Sequence, residues 1–173
     1  MSSPLKNIGS FLAHAVVLED EAATRYRELA DAMAVHNNPE VEALFRKMAE
    51  YSDMHRAEAV EHAEQHAGGL PDLKPWEFEW PGDESPESGR LESSHYLMTP
   101  YHALELALEA EEGAFGFYSS IADETNDPAI RELAEEFSAE EKQHVEALKK
   151  WIDQYPEPPE NWDDDLDPPV SID

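Results

Sequence analysis

A chain of 173 residues with no cysteine carries a formal net charge of −28. That length suits one domain able to bury about 70% of its unfolded surface. The charge argues against nucleic acid and anionic membranes as partners, and the missing cysteines exclude disulfides, iron–sulfur clusters and thiolate metal sites. No run approaches the length of a membrane span. The apolar stretch from Phe11 to Leu18 meets Glu19-Asp20-Glu21 too soon to be a signal-peptide core. The expectation is a cytoplasmic protein, one whose acidity would also suit a salty cytoplasm.

The first helix is expected over about 5–35, with Leu12, Ala15, Val16, Ala22, Ala23, Tyr26, Leu29, Ala30 and Met33 on one side. Glu19 falls at the centre of that stripe, while Asp20, Arg25, Arg27 and Asp31 are placed off it, and Asp20 and Glu21 on a solvated face. His36-Asn37-Asn38-Pro39 breaks the chain, with Asn38 as N-cap and Pro39 at the first helical position. A second helix follows over about 39–66, carrying Leu44, Met48, Tyr51, Ser52, His55, Ala59 and His62 on one face. Gly68-Gly69-Leu70-Pro71 stops it. The stretch 67–98 has no helical period and is too long for a tight turn. Trp76, Phe78 and Trp80 alternate along it, which predicts a crossover laid against the helices.

Thr99-Pro100 repeats the cap-then-proline start and opens a third helix over about 100–125. It is expected to bury Leu104, Ala107, Leu108, Ala114, Phe115, Tyr118 and Ile121 around a central Glu111. Asp127-Pro128 opens the fourth, over about 128–154, whose stripe of Leu133, Phe137, Val145, Leu148 and Ile152 also carries Glu141 and His144, one turn apart. A carboxylate and an imidazole in an apolar stripe need something to neutralise them, and a metal ion is one candidate. The segment 156–173 reads as a separate acidic, proline-rich tail behind a bundle spanning 1–155.

A single Glu-x-x-His means little in so acidic a chain, where Glu92 and His95 form another. The stronger signal is an internal repeat. Glu19 and Glu111 are each followed by a tyrosine seven residues on (Tyr26, Tyr118) and then by Ala-Asp (Ala30-Asp31, Ala122-Asp123). His55 lies as far beyond Pro39 as His144 lies beyond Pro128. The plan is helix pair, long crossover, helix pair, each pair bringing one Glu and one His to a core face.

This arrangement resembles the ferritin-like di-iron carboxylate superfamily, and most closely its rubrerythrin-like branch without the cysteine-bound rubredoxin domain. The resemblance covers nearly all of the chain up to Trp151. It implies an all-α, ferritin-like four-helix bundle with a metal site at its centre, lined by a Glu from each of two helices and Glu-x-x-His from each of the others. By position, Glu19 and Glu111 match the terminal carboxylates, Glu141 the bridge, and His55 and His144 one nitrogen ligand per metal, with Tyr26 and Tyr118 nearby. The pattern fails at Ser52, where the family carries a second bridging Glu, and at Ala114, where rubrerythrins carry a further carboxylate. Glu58, one turn beyond His55 with His62 below it, could reach back to fill the gap, or a water or small anion could; Asp53 points away and Glu50 lies to one side. His14, His66 and His102 are expected to take no part.

The implied cofactor is iron, one or two ions per site, with zinc or manganese as alternatives. The implied function is a non-haem di-iron oxidoreductase of the rubrerythrin-like peroxidase or ferroxidase class, acting on peroxide or dioxygen and needing an external electron donor. Loss of the bridging Glu leaves open a mononuclear metal-binding or metal-buffering protein, and also an inactive structural bundle. A homodimer is expected, with helix exchange between subunits as an option offered by the long crossover.

Overall fold

The computed structural model describes residues 7–82, 85–86 and 99–157. Four helices account for most of them: α1 (Ile8–Val35), α2 (Pro39–Ala67), α3 (Pro100–Glu124) and α4 (Pro128–Ile152). No strand occurs among the described residues. The expected start of the first helix at 5, most of the second half of the crossover, and the tail from 158 onward lie outside them.

The helix starts follow from local chemistry. The first orphan N–H groups of a helix need acceptors, and a short polar side chain just ahead supplies one. Asn7, Asn38 and Thr99 accept from Ser10, Val41 and His102, and Asp127 accepts from both Ala129 and Ile130. Proline follows the cap in α2, α3 and α4, where its missing N–H costs nothing. α2 ends at Gly68, whose φ of 72° is the left-handed turn that glycine enters without a Cβ clash.

Short loops make α1–α2 and α3–α4 two closely packed hairpins. These close on each other within the one chain, because two apolar clusters each draw residues from all four helices. The first holds Phe11, Leu18, Ala59, Phe117 and Phe137; Phe11 stacks on Phe137 at 5.9 Å and meets Tyr118 edge-on at 6.2 Å. The second holds Tyr26, Met33, Phe45, Leu104 and Leu148. Glu19, His55, Glu111 and Glu141 each fall between the two clusters along their own helices. The bundle is therefore apolar at both ends with a polar layer across its middle.

Several expectations about faces need correction. Arg25 is buried, only 4% exposed. It stands seven beyond Leu18, three beyond Ala22 and four before Leu29, so its register is that of the stripe and not the solvated side. Glu21 is half-buried, not solvated. In α3 it is Phe117 that is fully buried and Phe115 that is partly so, because Phe117 packs under the crossover against Trp80 at 5.3 Å. Tyr51 is exposed, and it lines a groove described below.

The start of the crossover is anchored by a residue expected to be a bystander. His14 is completely buried; its Nδ1 donates to the Ser10 carbonyl at 2.7 Å, and its Nε2 accepts from the Glu79 N–H at 3.0 Å. Phe78 and Trp80 lie over the ring, each 4.8 Å away. Trp76 does not join them and is 80% exposed, because a 3₁₀ turn at Pro75–Glu77 breaks the two-residue alternation. Further along, Pro86 sits on α3 where Gly113 offers no side chain; a Cβ there would meet Pro86 Cβ at 3.1 Å.

His14 makes the fold acid-sensitive. Burial outweighs the Ser10 carbonyl and the Glu79 charge and holds the ring below its ordinary 6.5. As pH falls, the unfolded chain takes the proton first. The stability tied to neutral His14 is therefore complete above pH 6.5 and erodes below it. His14→Gln is expected to lower stability near neutrality by about 1–3 kcal/mol and to flatten the loss below pH 6.5. Melting curves of both proteins across that range provide the check; parallel curves would remove His14 from the account.

Candidate metal centre

The polar layer is built from one residue or one pair per helix. α1 contributes Glu19, α2 His55, α3 Glu111, and α4 both Glu141 and His144. Glu19, Glu111 and Glu141 are 7%, 2% and 4% exposed, so three carboxylates lie where the hydration that an isolated charge requires is absent.

Their partners sort into two groups. On the α3–α4 side, His144 Nδ1 lies 3.5 Å from Glu111 Oε2 and 3.5 Å from Glu141 Oε2. On the α2 side, His55 Nδ1 lies 3.8 Å from Glu19 Oε1, and Nε2 lies 3.6 Å from Glu140 Oε2. The two imidazoles stack at 5.6 Å and 16°, which joins the groups into one site. Tyr26 donates its hydroxyl to Glu111 Oε1, so a tyrosine of the first repeat supports the carboxylate of the second. Tyr118 is buried instead among Phe11, Phe117 and Phe137.

The protonation states reflect this crowding. Burial acts against a charged Glu111, but Glu141, His144 and the charge of Arg25 prevail and hold it well below the usual carboxylate range. Burial and the neighbouring His144 lower His55, although Glu58 and Glu111 pull the other way. Glu140 goes upward to about 7, because it is half-enclosed and faces Glu58 and Glu136 with only His144 in opposition. A set of acids and imidazoles shifted in both directions within a few ångströms is characteristic of functional sites.

These residues fit a metal ion. Two sets of ligand atoms, Glu111–Glu141–His144 and His55–Glu58–Glu140, each gather within 4.8 Å. Glu111 Oε2 and His55 Nδ1 are fully shielded from solvent and have no aligned hydrogen bond. A cation would neutralise the carboxylates and accept those lone pairs, and the oxygen–nitrogen donor set suits divalent first-row metals. Ser52 is buried one turn before His55 and brings no charge. Asp53 pairs outward with Arg27. His62 is half-buried beside Phe137 and His66, outside both groups, and His102 bonds to the Thr99 cap.

Two features of the site escaped the sequence reading. Arg25 is one. Glu140 is the other, and its signal was legible: it stands four before His144 as Glu141 stands three before, so both flank the ring on one helical turn. The site also opens outward through a groove of about 520 Å³ between α2 and α4, where Lys47, Met48, Tyr51, Gln143 and Trp151 lead in to His55, Glu140 and His144.

Comparison with known proteins accords with this geometry. The rubrerythrin family model matches residues 10–80 and 102–166. A crystal structure of an uncharacterized conserved protein from Magnetospirillum magnetotacticum MS-1 is similar at 40% identity and a TM-score of 0.72, over 88% of this chain and 98% of that one. No curated protein matches the chain. A four-helix chain with a repeated Glu–His layer at its centre, matched by this model over most of its length, belongs to the rubrerythrin family of ferritin-like proteins.

Proposed function

We propose that this protein binds iron in its polar layer and works as a non-haem oxidoreductase on peroxide, with dioxygen as the alternative oxidant. The observation that carries this reading is that the two stacked histidines, each set against buried carboxylates, lie at the inner end of a groove open to small molecules. Two ferrous ions held there would supply two electrons to an O–O bond. The residues do the rest. Glu19, Glu111 and Glu141 offset most of the positive charge, and His55 and His144 provide one nitrogen donor each. Tyr26 fixes the orientation of Glu111 through its hydroxyl. The apolar clusters on either side keep bulk water from the layer.

The chain holds no cysteine, so electrons must come from a separate donor. A cytoplasmic setting with abundant reductant suits this, and no helix among the described residues is long and apolar enough to cross a membrane. A homodimer is part of the same proposal. Ser52 favours a second reading, a metal-buffering protein with a single ion and no turnover.

The test is metal content after anaerobic ferrous loading, followed by peroxide consumption with an artificial reductant. Two irons per chain and peroxide consumption that is lost on chelation are expected. One tightly held metal and no consumption would establish the buffering reading, and no metal at all would overturn both.

A further inference from the structure

We propose that Glu140, assisted by Glu58, supplies the carboxylate that Ser52 lacks, so that His55, Glu58 and Glu140 form a second metal position beside Glu111, Glu141 and His144. This rests on the reading above that the layer binds metal, and it identifies which residues hold the second ion.

Three observations converge. First, the helix that already presents Glu141 toward Glu111 presents Glu140 toward α2, where its Oε2 lies 3.6 Å from His55 Nε2. Glu58 joins them, with all three ligand atoms within 4.8 Å. Second, the residue one turn before His55 is a buried serine, 3% exposed. A glutamate at that point and Glu140 would both crowd His55 with negative charge, whereas a serine leaves room for the carboxylate to arrive from α4. Third, the buried carboxylates alone fall short of the charge of two divalent ions. Glu19, Glu111 and Glu141 oppose three charges to the four of two divalent ions, and Glu140 and Glu58 at the rim supply the remainder. Buried charge is tolerated when paired in this way. Glu140 is partly shielded, with Oε2 against His55 and the Glu58 carboxylate alongside, so a cation there would meet three donors at once.

The position is recognised by its donors. One imidazole and two carboxylates, one of them on the exposed rim of the site, suit a divalent first-row ion that exchanges more readily than its buried neighbour. The ligand set differs from a symmetric pair of Glu-x-x-His motifs: α2 gives His55 and Glu58, and α4 gives Glu140, Glu141 and His144.

Zinc tests this without redox chemistry, in the full-length protein, by calorimetric titration and by metal analysis after desalting. Wild type is expected to bind two equivalents. Glu140→Gln should retain one, with affinity for the second reduced at least 100-fold, and Glu58→Gln should weaken the second about 10-fold. Glu136→Gln, one turn away and exposed, should leave both unchanged. Adding Ser52→Glu to Glu140→Gln should restore the second equivalent, which a general loss of folding could not do. Two unaltered equivalents in Glu140→Gln would overturn the assignment, as would a single wild-type equivalent indifferent to it. No binding by wild type would instead remove the metal reading itself.

Discussion

Replacing the whole Glu111 group with apolar residues, as Glu111→Leu, Glu141→Leu, His144→Leu, Tyr26→Phe and Arg25→Met together, is expected to stabilise the metal-free protein and abolish metal binding on that side. The group occupies a layer between two apolar clusters, and its two carboxylates are almost fully buried. Removing charges from water costs several kcal/mol per ion, and mutual attraction repays this incompletely. Side chains of similar volume would let the clusters merge into one core. A gain of about 1–4 kcal/mol is expected, at roughly 2–4 °C in melting temperature per kcal/mol for a chain of this size. Thermal melts in chelator measure it. Marked destabilisation would show that the group serves the fold, and would favour an inactive structural bundle over a metal site.

Glu111→Leu alone should do the opposite, with a loss of about 3–5 kcal/mol in the metal-free protein. The difference lies between replacing a network and breaking one. Glu111 takes the Tyr26 hydroxyl, stands 3.5 Å from His144 Nδ1 and feels the charge of buried Arg25. Without it a buried hydroxyl loses its acceptor, the His144 ring loses a neighbouring carboxylate, and buried Arg25 loses the charge it faces. The pH dependence has a definite sign. Glu111 is held near 2 against an ordinary 4.5, so its contribution is complete above pH 4.5 and disappears as pH falls toward 2. Denaturant titrations should therefore show the full penalty near neutrality and a shrinking one in acid. A loss below about 1 kcal/mol at neutral pH would mean that Tyr26 and Arg25 hold no stake in Glu111.

What the sequence determined was whatever depends on spacing along one helix. Proline after a capping residue marks three of the four starts, and Gly68 marks a stop, because these residues act on backbone groups within a turn of themselves. The repeat of Glu19 and Glu111, and of His55 and His144, showed that four helices converge on one layer, since a polar residue amid an apolar stripe must meet others of its kind. Arg25 and Glu140 were equally open to that arithmetic, and their register states where they go.

The tertiary structure decided what depends on which helix faces which. That Tyr26 supports Glu111 and not Glu19, that His55 lies against Glu140 across the groove, and that both hairpins close within a single chain are relations between residues far apart in sequence. Helical periodicity names a face but not its neighbour. His14 shows the same limit: its side is set by α1, but its importance comes from Glu79, Phe78 and Trp80 on a segment with no period to read. Local rules decided which residues enter the layer, and packing across the bundle decided the partners with which each one shares charge.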